Sequence, residues 1–479
     1  MSHATSARPF NPSIPMNLRR NPPRATLLLS LVGATALAAC SSTVALDNGS
    51  SAAPVVCAWA HNTSGASCPA GACPIVLDEE LICNDGNFGA AGLRVAPTPD
   101  ATWLATSSAN ERMVYRLAGG KEERQEGIPE AFIGSRIWLA LGPDGDMQLV
   151  TDPTGHSPKN VGGVTRAVFA NGTWTSSVIL DSKESLAPIS DFEISPSGKP
   201  FLWFKDGPSG NVALATSNGQ GGWTLDPKVY PCDRYTLDGD GSPMCVTLRH
   251  VTGTTFQLHA RIGGVDTLIG EPIDLMGNAA RLVLAAPPPQ IPSGLLFGAA
   301  IVGSDGIRVV RVSKEAQAQV SAVVVIPSSA ESCPENASCQ TTCHYTGTGL
   351  DENALAVGWT DDGTAWLTYI VTDIDQTWDY SVEGGGGSLE QQDGSCFPDR
   401  SQDSSKGTLH LVRISPDGSA PTEVLTMPIA RLGASLSATT WGRFIDVRGS
   451  GKDLAIGVRT GWITGGNTVR LLRVDTSKL

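Results

Sequence analysis

Tight turns recur along most of this chain at a regular interval. From residue 91 onward, a short apolar strand leads into a turn of Pro, Asp, Ser or Gly and a second strand follows, as in residues 93–104, 137–149 and 192–203. Proline presets the backbone of a turn and glycine or aspartate tolerates a positive φ, so each instance predicts a β-hairpin. The turn centres lie near residues 99, 144, 197, 240, 293, 362, 417 and 450.

An interval of typically about 50 residues is the length of one four-stranded blade with its loops. The spacing persists to the last residues without a domain break, and no run of helical period longer than about ten residues interrupts it. The sequence therefore predicts an all-β fold, a β-propeller of about seven four-stranded blades, with six or eight as alternatives. One or two β-sandwiches, which are also rich in turns, are the competing architecture.

Closure of such a ring should involve both ends of the folded region. We expect the strand at residues 469–474 to pair with residues 75–77 within one blade. Trp103, Trp203 and Trp366 are expected at equivalent places in the second strands of successive blades. The apolar residues before the turns, Val95, Leu141, Ile194 and Val357, are expected in the packed layers between blades.

A second turn signal falls between some of these hairpins, at residues 171–175 and 217–224. The latter resembles the Asp-box of sialidase-like propellers, Ser-x-Asp-x-Gly-x-Thr-Trp, with Asn and Gly in place of the Asp and Thr. The resemblance implies that Trp174 and Trp223 pack between blades. It does not extend to activity, because none of the six tyrosines lies in a context that matches the nucleophile of that family, although Arg94 lies on a candidate inner strand.

A leader precedes the strands. Arginines are followed by the apolar run 25–39, which ends in Ala38-Ala39 and is succeeded by Cys40. Small residues before a cysteine resemble a bacterial lipoprotein box, which implies that Cys40 is acylated and becomes the first mature residue. The run is shorter than the ~20 residues of a transmembrane helix. Ser41 is not acidic, which by the same resemblance favours the outer membrane of the cell envelope, in a periplasmic or surface-exposed position. An ordinary secretory signal is the alternative.

The chain thus divides into four parts: a lipoprotein signal peptide at 1–39, a flexible tether at 40–55, a cysteine-rich N-terminal segment at 56–90 and the propeller at 91–479. Insertions at 327–350 and 373–406 interrupt the blade rhythm, the second of them rich in Gly, Ser and Gln. Long loops on a rigid scaffold commonly carry binding function. A solvated insertion without a partner is the alternative.

Eleven cysteines are present, and setting Cys40 aside leaves an even number. They form three groups, each even: Cys57, Cys68, Cys73 and Cys83; Cys232 and Cys245; and Cys333, Cys339, Cys343 and Cys396. In an exported protein this predicts local disulfides. A structural zinc site is less favoured because no group contains paired CxxC motifs.

The charge balance restricts the partners. The chain has 34 basic and 47 acidic residues, and residues 1–39 hold four arginines and no acid, so the mature part is still more acidic. Such a surface repels nucleic acid. We expect a monomer attached to the membrane through acylated Cys40, with a protein or glycan ligand.

Motifs for chemistry are sparse. Residues 449–452 imitate a phosphate-binding loop, but Asp446 and Asp453 stand where its remaining Gly and Ser or Thr belong. Neither HExxH nor GxSxG occurs, so no catalytic residue is assigned. Asp238 and Asp240, between Cys232 and Cys245, offer oxygens for Ca²⁺, and a plain turn is the alternative. No other cofactor is predicted.

These observations predict a membrane-anchored extracytoplasmic binding or scaffold protein that uses the loops or funnel of the propeller, and they favour a non-enzymatic role. The alternative is a hydrolase or lyase that acts on polysaccharide. A cluster of arginines or carboxylates on the inner strands would favour the enzyme, whereas a mixed polar or apolar funnel would favour the binder.

Overall fold

The computed structural model describes residues 57–61, 65–69, 73–83, 93–107, 112–125, 137–142, 146–151, 164–180, 189–195, 197–206, 211–218, 222–231, 234–237, 243–262, 265–276, 281–284, 294–326, 329–330, 342–379, 399–417, 419–431, 445–460 and 467–479. Within these ranges the chain is nearly all β, and its seven antiparallel sheets form the blades of a propeller. The predicted fold class and the blade count of seven are confirmed.

The first five blades each use four strands in chain order. Blade one contains β3 (Leu93–Pro97), β4 (Thr102–Ser107), β5 (Arg112–Ala118) and β6 (Lys121–Arg124). Blade two contains β7 (Ile137–Leu141), β8 (Met147–Thr151), β9 (Val164–Ala170) and β10 (Thr173–Leu180). Blade three contains β11 (Ile189–Ile194), β12 (Pro200–Asp206), β13 (Asn211–Ser217) and β14 (Trp223–Pro231).

Blade four contains β15 (Arg234–Leu237), β16 (Pro243–Thr252), β17 (Thr255–Ile262) and β18 (Val265–Asp274). Blade five contains β19 (Arg281–Leu284), β20 (Leu295–Gly303), β21 (Gly306–Ser313) and β22 (Ala318–Val320). Blade six contains β24 (Thr342–Trp359), β25 (Ala365–Asp379), β26 (Asp399–Ile414) and β27 (Thr422–Arg431), with the two-residue strand β23 (Ser329–Ala330) beside β24.

Blade seven combines both ends of the folded chain. Its order is β1 (Cys57–His61), β2 (Ile75–Cys83), β30 (Asn467–Asp475), β29 (Asp453–Thr460) and β28 (Ile445–Ser450). Ile75 lies opposite Val474 and Leu77 opposite Arg473, so the predicted pairing of the two terminal strands is confirmed. The cysteine-rich N-terminal segment therefore supplies the two outer strands of the last blade.

Each blade opens with a hairpin at one of the predicted turns. In blade one the Thr98 hydroxyl donates to Asp100 Oδ1 at 2.9 Å, and in blade six the Thr360 hydroxyl donates to Asp362 Oδ1 at 2.7 Å. These bonds join residues two apart, so the local sequence specifies the turn. Seven of the eight predicted turn centres are first hairpins. The turn near 417 instead joins β26 to β27, the outer hairpin of blade six.

The core lies in the layers between neighbouring blades. Val95 and Val357 are buried, and Leu141 and Ile194 are partly buried against clusters shared by adjacent blades, so these four positions are confirmed. Separate clusters fill the seams between blades one and two and between blades two and three. Trp174 packs against the first of these clusters and Trp223 against the second, as predicted.

The predicted equivalence of three tryptophans is correct for two. The first turn is closed by a hydrogen bond to the carbonyl of Ala101 in blade one and of Thr364 in blade six. Trp103 and Trp366 each lie two residues after that carbonyl. In blade three the corresponding residue is Phe201, because Lys199 supplies the closing carbonyl, and Trp203 lies two residues further along β12. The shift keeps Trp203 on the same face of the strand, where it stacks on Tyr235 of blade four. The three tryptophans lie in blades one, three and six, and not in successive blades.

Two disulfides join cysteines of the first group, Cys57 to Cys83 and Cys68 to Cys73. The first links β1 to β2, whose register already places these two cysteines opposite each other. Cys245 is also disulfide-bonded. Cys343 lies in β24, whereas Cys232, Cys333, Cys339 and Cys396 lie outside the described residues.

Several predictions concern parts of the chain outside the described residues: the signal peptide, the tether with Cys40, and Asp238 and Asp240. Among the residues that are described, no helix is long and apolar enough to cross a membrane.

Candidate functional site

Charged residues of the inner strands come together across blades. Arg94 of β3 places Nη2 3.4 Å from Asp191 Oδ1 of β11, which links blade one to blade three. The backbone N–H of Val95 donates to Asp446 Oδ2 of β28 at 2.9 Å, which links blade one to blade seven. Asp446 Oδ1 also lies 3.6 Å from Arg448 Nε. We call Arg94, Asp191, Asp446 and Arg448 the inner cluster.

The inner cluster is closed to solvent. Arg94, Asp191 and Asp446 are 4%, 7% and 1% exposed. Buried charges are tolerated when they are paired, and removing one partner is strongly destabilising. Because the arginines and aspartates of the inner cluster compensate one another, their geometry is suited to holding inner strands together. No open acid–base pair results from this arrangement.

A tyrosine nucleophile would need a pKa well below its ordinary value. Tyr369 of β25 shows the opposite, since burial raises its pKa to about 12, with a smaller contribution from the charge of Glu423. The ring is 3% exposed and stacks on His410 at 4.8 Å between centroids. This tyrosine is a packing residue, and the geometry offers it no role in glycoside chemistry.

A pocket of about 240 Å³ lies at the seam between blade seven and blade one. Its polar lining comes from Glu79 of β2, Arg473 of β30, Asp100 in the first turn of blade one, and Lys121 and Glu122 of β6. Arg473 is fully engaged: it contacts Asp453 at 2.7 Å and donates to backbone carbonyls of the first turn of blade one. We call this the seam pocket.

Potential metal ligands meet at the edge of the seam pocket. Ligand atoms of His61 on β1, Glu79 on β2 and Glu122 on β6 all lie within 4.8 Å of one another. His61 Nδ1 is 2.7 Å from Glu79 Oε2. This contact, and the charge of Glu79, raise the pKa of His61 above its ordinary value, opposed by desolvation and aided by the charge of Glu122.

Among the described residues, blade six carries a strand extension that is not seen in the other blades. Its strands β24, β25 and β26 have 18, 15 and 16 residues, and residues 342–350, 371–379 and 399–406 pair as a three-stranded sheet. We call these three ranges the arm. The two predicted insertions therefore contribute to one structure, because parts of 327–350 and 373–406 are neighbouring strands in it.

Sequence reasoning identified Arg94 as an inner-strand residue, and the structure brings it to Asp191. It missed the partners Asp191 and Asp446, and it missed the group His61, Glu79 and Glu122. The alternation of β2, Ile-Val-Leu-Asp-Glu-Glu-Leu-Ile-Cys, contains an acidic residue on a face that is otherwise apolar. That irregularity was the available signal for Glu79.

No protein-family model and no curated protein matches this chain. Among solved structures, it is similar to the polysaccharide lyase Uly1, with 10% identity over 80% of this chain and 90% of that chain and a TM-score of 0.35. It is similar to YCF48 bound to D1 peptide, with 10% identity over 80% and 92% and a TM-score of 0.38. A third is the calcium-binding protein regucalcin from Agrobacterium tumefaciens, with 12% identity over 80% and 90% and a TM-score of 0.30. These identities and TM-scores are too low to support an argument about this chain. The seven-bladed architecture is established by the strand pairing described above.

Proposed function

We propose that this protein is a membrane-anchored extracytoplasmic binding protein that uses the arm of blade six to hold a polar polymer of the cell envelope. The proposal rests on the arm, whose strands are longer than those of the other blades. The strands of the other six blades have at most ten residues, so ring formation does not require strands of 15 to 18. An extra sheet on a rigid scaffold supplies surface for a ligand.

The composition of the arm suits a polysaccharide. Its sequence is rich in Thr, Ser, Asp and Gln and includes the aromatic residues Tyr345 and Trp378. Hydroxyl, carboxylate and amide groups exchange hydrogen bonds with sugars, and aromatic residues combine a large apolar area with a polar group. Because the chain is strongly acidic, a neutral glycan is a better ligand than an acidic one.

The inner cluster bears on the alternative, a polysaccharide hydrolase or lyase. Arginines and carboxylates do meet on the inner strands, which is the observation that favours an enzyme. Their burial and mutual pairing leave no accessible acid or base in the inner cluster, so we rank this activity second.

Removing two of the three strands of the arm tests the binding function. Thr372 and Gly407 face each other in the β25–β26 register, so an Asn-Gly turn can replace residues 373–406 and close the hairpin. We expect this variant to keep its melting temperature within about 3 °C and to lose at least tenfold in binding to peptidoglycan or a neutral glucan, measured by co-sedimentation. Alginate serves as the acidic comparator.

Full binding by this variant, which lacks residues 373–379 and 399–406 of the arm, would contradict the role of the arm. Release of reducing ends or unsaturated uronate from any of these polysaccharides by the intact protein would instead identify the enzyme.

Anchoring is tested separately. The wild-type protein is expected to partition into the detergent-rich phase of a Triton X-114 extract, since two or more acyl chains hold a protein stably at a membrane. The Cys40→Ser variant should appear as an unprocessed or soluble form. As a control, Cys343→Ser leaves the lipoprotein box intact and should still partition with detergent. Equal partitioning of Cys40→Ser and wild type would exclude lipidation.

A further inference from the structure

The group His61, Glu79 and Glu122 has an excess of negative charge. Glu79 is 7% exposed, and its Oε2 atom lies 2.7 Å from His61 Nδ1 but makes no hydrogen bond of good geometry among the described residues. Glu79 forms an ion pair with His61, whose side chain is 69% exposed. A second carboxylate, Glu122, lies within 4.8 Å. A buried carboxylate beside another carboxylate needs a stronger compensating charge than one exposed imidazole.

Two arginines near the seam pocket, Arg473 and Arg116, do not supply that charge. Arg473, which also lines the pocket, is committed to Asp453 and to the carbonyls of Ala101 and Thr98. Arg116 of blade one contacts Asp100 at 2.7 Å and Glu123 at 3.3 Å. The neighbouring arginines are therefore occupied by other acids of the seam.

We propose that His61, Glu79 and Glu122 bind a divalent transition-metal ion of the Zn²⁺ type. Zinc takes nitrogen at about 2.0–2.1 Å and carboxylate oxygen at about 2.0–2.2 Å, so two of its ligands lie at most about 4.2 Å apart. Ligand atoms already within 4.8 Å reach that limit by small side-chain movements. His61 and Glu122 lie on solvent-accessible parts of their strands, which provides the path of entry.

The donor set selects among cations. One imidazole and two carboxylates match Zn²⁺ and related first-row ions, whereas Ca²⁺ and Mg²⁺ prefer sites made of oxygen alone. The site does not include the predicted calcium ligands Asp238 and Asp240, which lie outside the described residues.

An ion at this site would connect two neighbouring blades, seven and one. His61 and Glu79 belong to the N-terminal strands of blade seven, and Glu122 belongs to the last strand of blade one. The Cys57–Cys83 disulfide joins the same two N-terminal strands. A bound metal would thus hold β1 and β2 against blade one. These are the first described strands after the proposed anchor Cys40 in the sequence.

Calorimetric titration of the purified chain tests the site, after chelator treatment and without a histidine tag. We expect Zn²⁺ to bind at one ion per chain, with the melting temperature rising by roughly 3 °C when free Zn²⁺ is 100 times Kd. His61→Gln and Glu122→Gln are each expected to weaken Zn²⁺ binding at least tenfold and to remove the thermal shift. Both positions are accessible, so circular dichroism should show an intact fold.

Glu423→Gln is the matched control. His410 and Glu423 form another histidine–carboxylate contact, at 2.6 Å, but they are not part of the three-residue group. This variant should bind Zn²⁺ as the wild type does. Absence of Zn²⁺ binding, wild-type affinity in His61→Gln, or equally tight binding of Ca²⁺ would each overturn the assignment.

Discussion

Deletion of residues 468–479 is expected to unfold the entire propeller, and not only its last blade. These residues include nearly all of β30, the middle strand of blade seven, which pairs with β2 on one side and β29 on the other. Without β30, the strands β1 and β2 lose the strand that pairs them with the rest of blade seven. The Arg470–Asp78 pair, with contacts of 2.8 and 2.7 Å, is lost with them.

The energetic argument rests on side chains that alternate between two seams. Leu472 and Val474 are buried in the cluster between blades six and seven, and Val469 and Leu471 are buried in the cluster between blades seven and one. Burying one such side chain contributes ~1.5–3 kcal/mol, so the four together contribute roughly 6–12 kcal/mol. Whole proteins are stable by only about 5–15 kcal/mol.

Calorimetry and hydrogen exchange measure the result. We expect loss of the cooperative melting transition, together with loss of amide protection in blades three and four, which are far from the deletion in the ring. A chain shortened only by Lys478 and Leu479 keeps β30 and should melt within a few degrees of the intact protein. Protection of blades three and four at the wild-type level in the longer deletion would show that the ring does not need closure.

Substitution of Gly298 by valine is expected to destabilise the protein by about 3 kcal/mol or more. Gly298 lies in β20 of blade five, and a Cβ atom at this position would overlap the indole of Trp359 from blade six. Trp359 is 1% exposed, and a Cβ at Gly449 of blade seven would overlap its backbone carbonyl, so the surroundings of this residue are tightly packed. Arg311 additionally lies over the ring, 5.1 Å from its centroid.

A double-mutant cycle measured by urea denaturation tests this explanation. Trp359→Ala alone leaves a cavity and should cost about 3–5 kcal/mol. Combined with Gly298→Val, the cost should be less than the sum of the two single changes, since the new side chain fills part of that cavity. Gly349→Ala is the control, because nothing lies within 4 Å of a Cβ at that strand position. Additive costs in the double variant would argue against the steric contact.

Local features determined the repeating part of the fold. The turns at Thr98–Asp100 and Thr360–Asp362 are held by hydrogen bonds between residues two apart, so their sequence signal was direct. Their spacing predicted seven blades, and the need to close the ring predicted the pairing of residues 469–474 with the N-terminal strand. The turn near 417 was an outer hairpin, because turn chemistry alone does not distinguish the first hairpin of a blade from a later one.

Contacts between blades were decided by tertiary structure alone. The Arg94–Asp191 pair, the group His61, Glu79 and Glu122, and the close approach of Gly298 to Trp359 all join residues of different blades. Each depends on the register of two or more strands, and one residue of shift reverses the face on which a side chain lies. Spacing along the chain determines how many blades form, but it does not determine this register. The charge pairing and the proposed metal site therefore emerge only when the ring is closed.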